Sequence, residues 1–84
     1  MHVKIRVFGL LKELLKKEIP CEASFYRAEP ITVREALSEI GINGDDLLWV
    51  VVSINGELAK KDIFDDYLDK DQVDIAVYPL FAGG

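Results

Sequence analysis

The chain has one cysteine and one histidine among its 84 residues. A lone cysteine, Cys21, excludes an internal disulfide framework and fits a reducing compartment. A lone histidine, His2, leaves no second imidazole to act as a base for a nucleophile, and one His with one Cys is too small a set for zinc. Asp65-Asp66 and Asp69 with Asp71 lack the spacing of a calcium loop and read as a solvated acidic turn, while Gly44 and Gly56 read as turn glycines rather than a phosphate loop. Metal: none expected. No apolar run approaches the length of a membrane span, and the first residues enter strand-like alternation rather than a signal-peptide layout, so the expectation is a soluble, cytoplasmic protein that does not use a membrane. Basic residues are scarce in the second half. Residues 43–84 carry three Lys/Arg against nine Asp/Glu, where residues 1–42 carry seven against six. That balance lacks the basic footprint that nucleic acid requires. A net charge of −5 suits a partner with a basic surface, or serves solubility alone.

What is present is a patterned chain, half of it hydrophobic. Val3, Ile5 and Val7 alternate with Lys4, Arg6 and Phe8, which predicts a strand with one apolar face. Residues 10–18 switch period: Leu10, Leu11, Leu14 and Leu15 form a stripe, Glu13 and Lys17 stand i,i+4, and Pro20 ends the short helix. Residues 21–28 predict a second strand around Phe25 and Tyr26. Thr32 and Glu35 form a capping box ahead of Val33, Ala36, Leu37 and Ile40, with Gly41 as the stop, which predicts the main helix. After the turn at Asn43-Gly44-Asp45-Asp46, the run 49–54 predicts the strongest strand. Asn55-Gly56 turns it into a short partner at 57–59. Residues 60–68 hold at most a helical turn. A last strand is predicted over 73–78, with Pro79 ending its ladder.

The order ββαβ(β)β, with a strand near each end, predicts a single α+β domain over 1–84. A mixed sheet of four to five strands packs one face on the main helix, with the short helix beside it. If Val3, Ile5 and Val7, Val50, Val52 and Ile54, and Val73, Ile75 and Val77 all face the helix, then Phe8, Trp49, Val51, Ala76 and Tyr78 lie on the opposite face. There they make an apolar patch near the last strand's exit. Beyond that exit the sequence closes on Pro79, Leu80, Phe81, Ala82, Gly83 and Gly84. A glycine pair offers a slim backbone ending in an unhindered carboxylate, fit to enter a narrow site in another protein. Such a tail does not bind by itself. Freezing five or six residues costs on the order of 5–12 kcal/mol. Burying Leu80 and Phe81 returns about 1.5–3 kcal/mol each. A folded docking face is therefore needed as well. The chain by itself has no catalytic set.

The combination resembles the MoaD/ThiS-type family of β-grasp, ubiquitin-like sulfur carriers. It is nearest to the small subunit of molybdopterin synthase and next to the thiamine-pathway carrier. The residues that carry the resemblance are Val3-Lys4-Ile5-Arg6-Val7-Phe8-Gly9 with Leu11-Lys12-Glu13-Leu14, and Thr32-Val33-Arg34-Glu35-Ala36-Leu37. They continue with Val52-Ser53-Ile54-Asn55-Gly56-Glu57, Asp71-Gln72-Val73 and the tail from Tyr78 to Gly84. Leu80 stands where the molybdopterin-type tail commonly has a second proline, and Lys70 where the turn often has glycine. The resemblance implies a β-grasp fold with a flexible tail and a carrier that is not an enzyme alone. It implies that an adenylyltransferase like the ubiquitin-activating enzymes uses ATP on the Gly84 carboxylate. A sulfur donor protein then makes the thiocarboxylate, and the molybdopterin synthase large subunit receives it. The chain itself binds no cofactor in this cycle. Thiamine synthesis, tRNA thiolation, conjugation of Gly84 to target proteins and a non-covalent interaction module are the alternatives.

Overall fold

Two alternating segments, one near each end of the sequence, lie side by side. The computed structural model describes residues 1–81. In it β1 (His2–Val7) runs parallel to β5 (Gln72–Pro79), with Val3 opposite Val73 and Ile5 opposite Ile75. Hairpin-like partners flank this pair. β2 (Glu22–Tyr26) runs antiparallel to β1, β3 (Val50–Ile54) antiparallel to β5, and β4 (Glu57–Ala59) antiparallel to β3. The result is a mixed five-stranded sheet in the order β2-β1-β5-β3-β4. Asn55 and Gly56 make the β3–β4 turn with φ of 51° and 85°, the left-handed pair that a tight hairpin demands. The Asn55 side chain then accepts from the Asp74 N–H at 2.8 Å, which ties the hairpin to β5.

The main helix, α2 (Val33–Glu39), begins where the capping box places it. The Thr32 hydroxyl accepts from the Glu35 N–H at 3.1 Å, and the Glu35 carboxylate accepts from the Thr32 N–H at 3.0 Å. Its apolar positions Val33, Ala36 and Leu37 are buried in one core with Val3, Ile5 and Ile75 from the inner sheet face. The short helix, α1 (Leu11–Leu15), is smaller than its leucine stripe suggests. Leu11 is buried and Leu15 packs on the core, while Leu10 and Leu14 are exposed. Lys16 closes it in the left-handed region at φ 57°, well before Pro20. Lys17 therefore lies beyond the helix and does not complete an i,i+4 pair with Glu13. Its ammonium donates instead to Asp46 at 2.6 Å and to the Gly41 carbonyl at 3.0 Å, joining the ends of both helices.

Two further segments differ from the pattern. Gly44–Trp49 forms a 3-10 turn, so Trp49 ends that turn rather than beginning β3. The unpatterned stretch after β4 contains Phe64, the largest fully buried side chain, whose carbonyl accepts from the Arg34 N–H at the start of α2. Removing that ring would cost about 3–5 kcal/mol. No helix among the described residues is long and apolar enough to cross a membrane.

Candidate functional site

The sheet brings together the segments that surround the root of the tail. β1 hands off at Val7, where the Phe8 N–H donates to the Val77 carbonyl at 2.9 Å. The chain then turns through Gly9 at φ +69°. A Cβ on Gly9 would lie 3.2 Å from Pro79 Cγ and 3.3 Å from its Cδ, so glycine serves both the turn and the close approach. β5 continues one residue past the predicted limit. Pro79 pairs in register with Val50, and the next N–H, that of Leu80, donates to the Trp49 carbonyl at 2.8 Å. Successive N–H groups of a strand point to opposite sides. With Leu80 donating toward β3, the Pro79 nitrogen faces the side that β1 has already left. The last bond on that side is the one from the Phe8 N–H to Val77, and a proline, which has no N–H, closes the ladder there.

The predicted outer face is only partly the surface that is available. Phe8 and Tyr78 stack, with ring centroids 4.9 Å apart and planes 12° from parallel. Val51 lies directly opposite Tyr78 in the β3–β5 register and is half-buried. Ala76 has the expected parity but is only 5% exposed. Its methyl sits low between longer neighbours, flanked in register by Arg6 and Ser53, so it does not contribute to an exposed patch. Trp49 stands apart from the Phe8–Tyr78 stack and meets Phe81 instead, with centroids 6.1 Å apart and planes tilted by 50°. The patch therefore divides into a Phe8–Tyr78–Val51 face and a Trp49–Leu80–Phe81 tail root. Ala82, Gly83 and Gly84 lie outside the described residues.

Sequence reasoning missed one member of this face. The Arg6 guanidinium lies over the Phe8 ring at 5.7 Å, in cation–π range. Among the described residues Lys4, Lys17, Arg27 and Arg34 each pair with a carboxylate, and Arg6 has no such partner. The signal was available in the strand alternation, since Arg6 shares the outward parity of Phe8. Among the described residues no group of acidic, His and Cys side chains could hold a metal, and Cys21 is exposed and unpaired. A further exposed apolar group, Leu58, Ile63 and Tyr67, lines a shallow depression of about 550 Å³ beside β4. Asp66 and Asp69 stand on the same depression.

The parallel pairing of β1 with β5, with one main helix on the inner face, defines the ubiquitin-like β-grasp fold. The chain belongs to the ThiS family, whose model matches residues 5–84, and it is thus a ubiquitin-like sulfur carrier. Solved structures agree on the fold. SAMP1 from Haloferax volcanii is similar at 21% identity and TM-score 0.65, with 100% of both chains covered. A Pyrococcus furiosus protein assigned as molybdopterin converting factor, subunit 1, is similar at 22% identity and TM-score 0.62, covering 96% of this chain and 99% of that one. The thiamine biosynthesis protein ThiS from Geobacter metallireducens is similar at 26% identity and TM-score 0.57, covering 96% and 97%. No curated protein matches the sequence at a significant level.

Proposed function

We propose that this carrier supplies sulfur for molybdenum cofactor formation as the small subunit of molybdopterin synthase, with Gly84 as its reacting residue. An activating enzyme joins the Gly84 carboxylate to AMP from ATP with loss of pyrophosphate. A persulfide on a donor protein then attacks the acyl carbon and expels AMP to form an acyl disulfide, and a second thiol takes the donor's sulfur into a disulfide and so releases the thiocarboxylate. A carboxylate is a poor electrophile, which is why the activation and the oxyanion-stabilising donors belong to the partner. The folded body contributes delivery. The Phe8–Tyr78–Val51 face docks, Arg6 meets an anionic group on the partner, and the residues beyond Pro79, which itself stays paired with Val50, enter the partner's site.

The observation that carries this reading is the exit of β5. The last strand leaves the centre of the sheet beside an exposed aromatic stack and leads directly into Leu80-Phe81-Ala82-Gly83-Gly84. The family match also runs through Gly84. The molybdopterin assignment rests on the segment from Phe8 to Leu14 and on Ala82-Gly83-Gly84. A thiamine-pathway role is the second reading, favoured by the family model and by the Geobacter neighbour. Cells lacking their own carrier for each pathway separate the two. Restored molybdenum cofactor synthesis supports the first reading, and restored thiamine synthesis alone replaces it with the second. Covalent conjugates through Gly84 on other proteins would instead mark a protein modifier.

A further inference from the structure

We infer that Trp49 is the positioning residue of the tail: it fastens Leu80 and Phe81 to the entrance of β3 and so sets how far the residues beyond Phe81 extend. This inference rests on the carrier reading above. Trp49 holds the tail in two ways. Its carbonyl accepts from the Leu80 N–H at 2.8 Å, and its indole meets the Phe81 ring at 6.1 Å. The 3-10 turn over Gly44–Trp49 is what brings that carbonyl and that ring to the same place, next to the Val50–Pro79 pair. Neither contact is deeply buried, since Trp49 is 43% exposed and Phe81 59%. One net hydrogen bond and one aromatic contact oppose the entropy of ordering two residues, terms of similar size, so the fastening opens readily.

The consequence is a tail with two lengths. Fastened through Phe81, the chain is free only beyond that residue; released after Pro79, it gains two residues, about 7 Å more reach at most. A shallow site in a partner accepts the fastened form, and a deeper one requires release. Docking and reach are then separate properties. The Phe8–Tyr78 stack governs the first and Trp49 the second, although the alternation of 49–54 alone groups Trp49 with the docking face.

The full chain carries a single tryptophan, so its fluorescence reports this contact directly. Phe81→Ala, a change at an exposed ring, should raise acrylamide quenching of Trp49. It should also speed exchange of the Leu80 amide by about fivefold, the factor that losing an aromatic contact of about 1 kcal/mol beside that hydrogen bond is worth. The amides of Ile5 and Ile75 should be unaffected. Unchanged quenching and unchanged Leu80 exchange would overturn the inference, whatever the chain's function. In thiocarboxylation by an activating enzyme, Trp49→Ala should change kcat with KM unchanged, a fall where the partner's site takes the fastened tail and a rise where it takes the released one, because the position of the reacting end governs rate rather than docking. Trp49→Phe should restore it. A rise in KM with kcat unchanged would return Trp49 to the docking face and overturn the inference. If the unaltered chain is not thiocarboxylated at all, the carrier reading fails, while the quenching and exchange results still decide whether Trp49 fastens the tail.

Discussion

Phe8 and Tyr78 stack across two parallel strands, 4.9 Å between ring centroids, on the sheet face that α2 does not cover. Phe8 follows the last residue of β1 and Tyr78 lies one residue before the end of β5, so the stack marks where the tail begins. An aromatic pair of this kind adds about 0.5–1.5 kcal/mol beyond its buried area.

Phe8→Glu should weaken binding to the activating partner by at least about tenfold, since truncating or charging an anchoring aromatic typically costs more than 1 kcal/mol. The fold should lose no more than the stack contributes, about 0.5–1.5 kcal/mol, because Phe8 is outside the buried core. Titration calorimetry with the partner checks this, and an unaltered affinity would remove the face from the account.

Arg6→Glu should also weaken that binding, and more at low than at high salt, because the guanidinium has no carboxylate partner among the described residues. Arg6→Gln should fall between the two. Association rates measured over a range of ionic strength report the difference, with the rate changing more than the dissociation.

Gly9→Ala should destabilise the fold by about 1–2 kcal/mol, from the positive φ alone. For a chain of this size that lowers the melting temperature by about 4–8 °C per kcal/mol. The added methyl also meets the Pro79 ring. Pro79→Ala should therefore relieve part of the cost, and a double-mutant cycle should give a nonzero coupling between the two positions.

The Lys17 ammonium, through its hydrogen bond, holds the Asp46 carboxyl below its usual range; burial opposes it, and the Asn43 N–H adds a smaller lowering effect. A depressed carboxylate contributes stability that is present above its unfolded pKa, near 3.8, and is lost as pH falls through the lower folded value. Asp46→Asn should accordingly be less stable than the parent at neutral pH, by less than about 1 kcal/mol for so exposed a pair. The two chains should converge in acid. Denaturant unfolding at a series of pH values below 5 checks the convergence, in a range set on the order of the carboxylate pKa.

The strands, the capping box and the Asn55-Gly56 hairpin were legible because each is written in local signals: a period of two, a Thr32–Glu35 spacing, a pair of left-handed residues. The face parity of Phe8, Val51 and Tyr78 followed from the same alternation. What was not legible depends on neighbours distant in sequence. Ala76 is outward but buried, because Arg6 and Ser53 reach it only after β5 inserts between β1 and β3. Trp49 reads as the first residue of an apolar run, yet the preceding Gly44–Leu48 segment curls it into a 3-10 turn and against Phe81. Phe64 sits in a stretch with no period at all, and only the packing of the whole core selects it. Leu10 and Leu14 share a stripe with Leu11, but α1 ends too soon to bury them.

The central claim is that Gly84 is the residue that takes up sulfur. The direct measurement is the intact mass of the full chain after incubation with an activating enzyme, ATP and a sulfur donor, with fragmentation to locate the change. The account predicts replacement of one oxygen by one sulfur at Gly84, dependent on ATP and absent when Gly84 is deleted. A chain whose mass is unchanged with each activating partner tried, or whose sulfur lies on Cys21 instead, would contradict it.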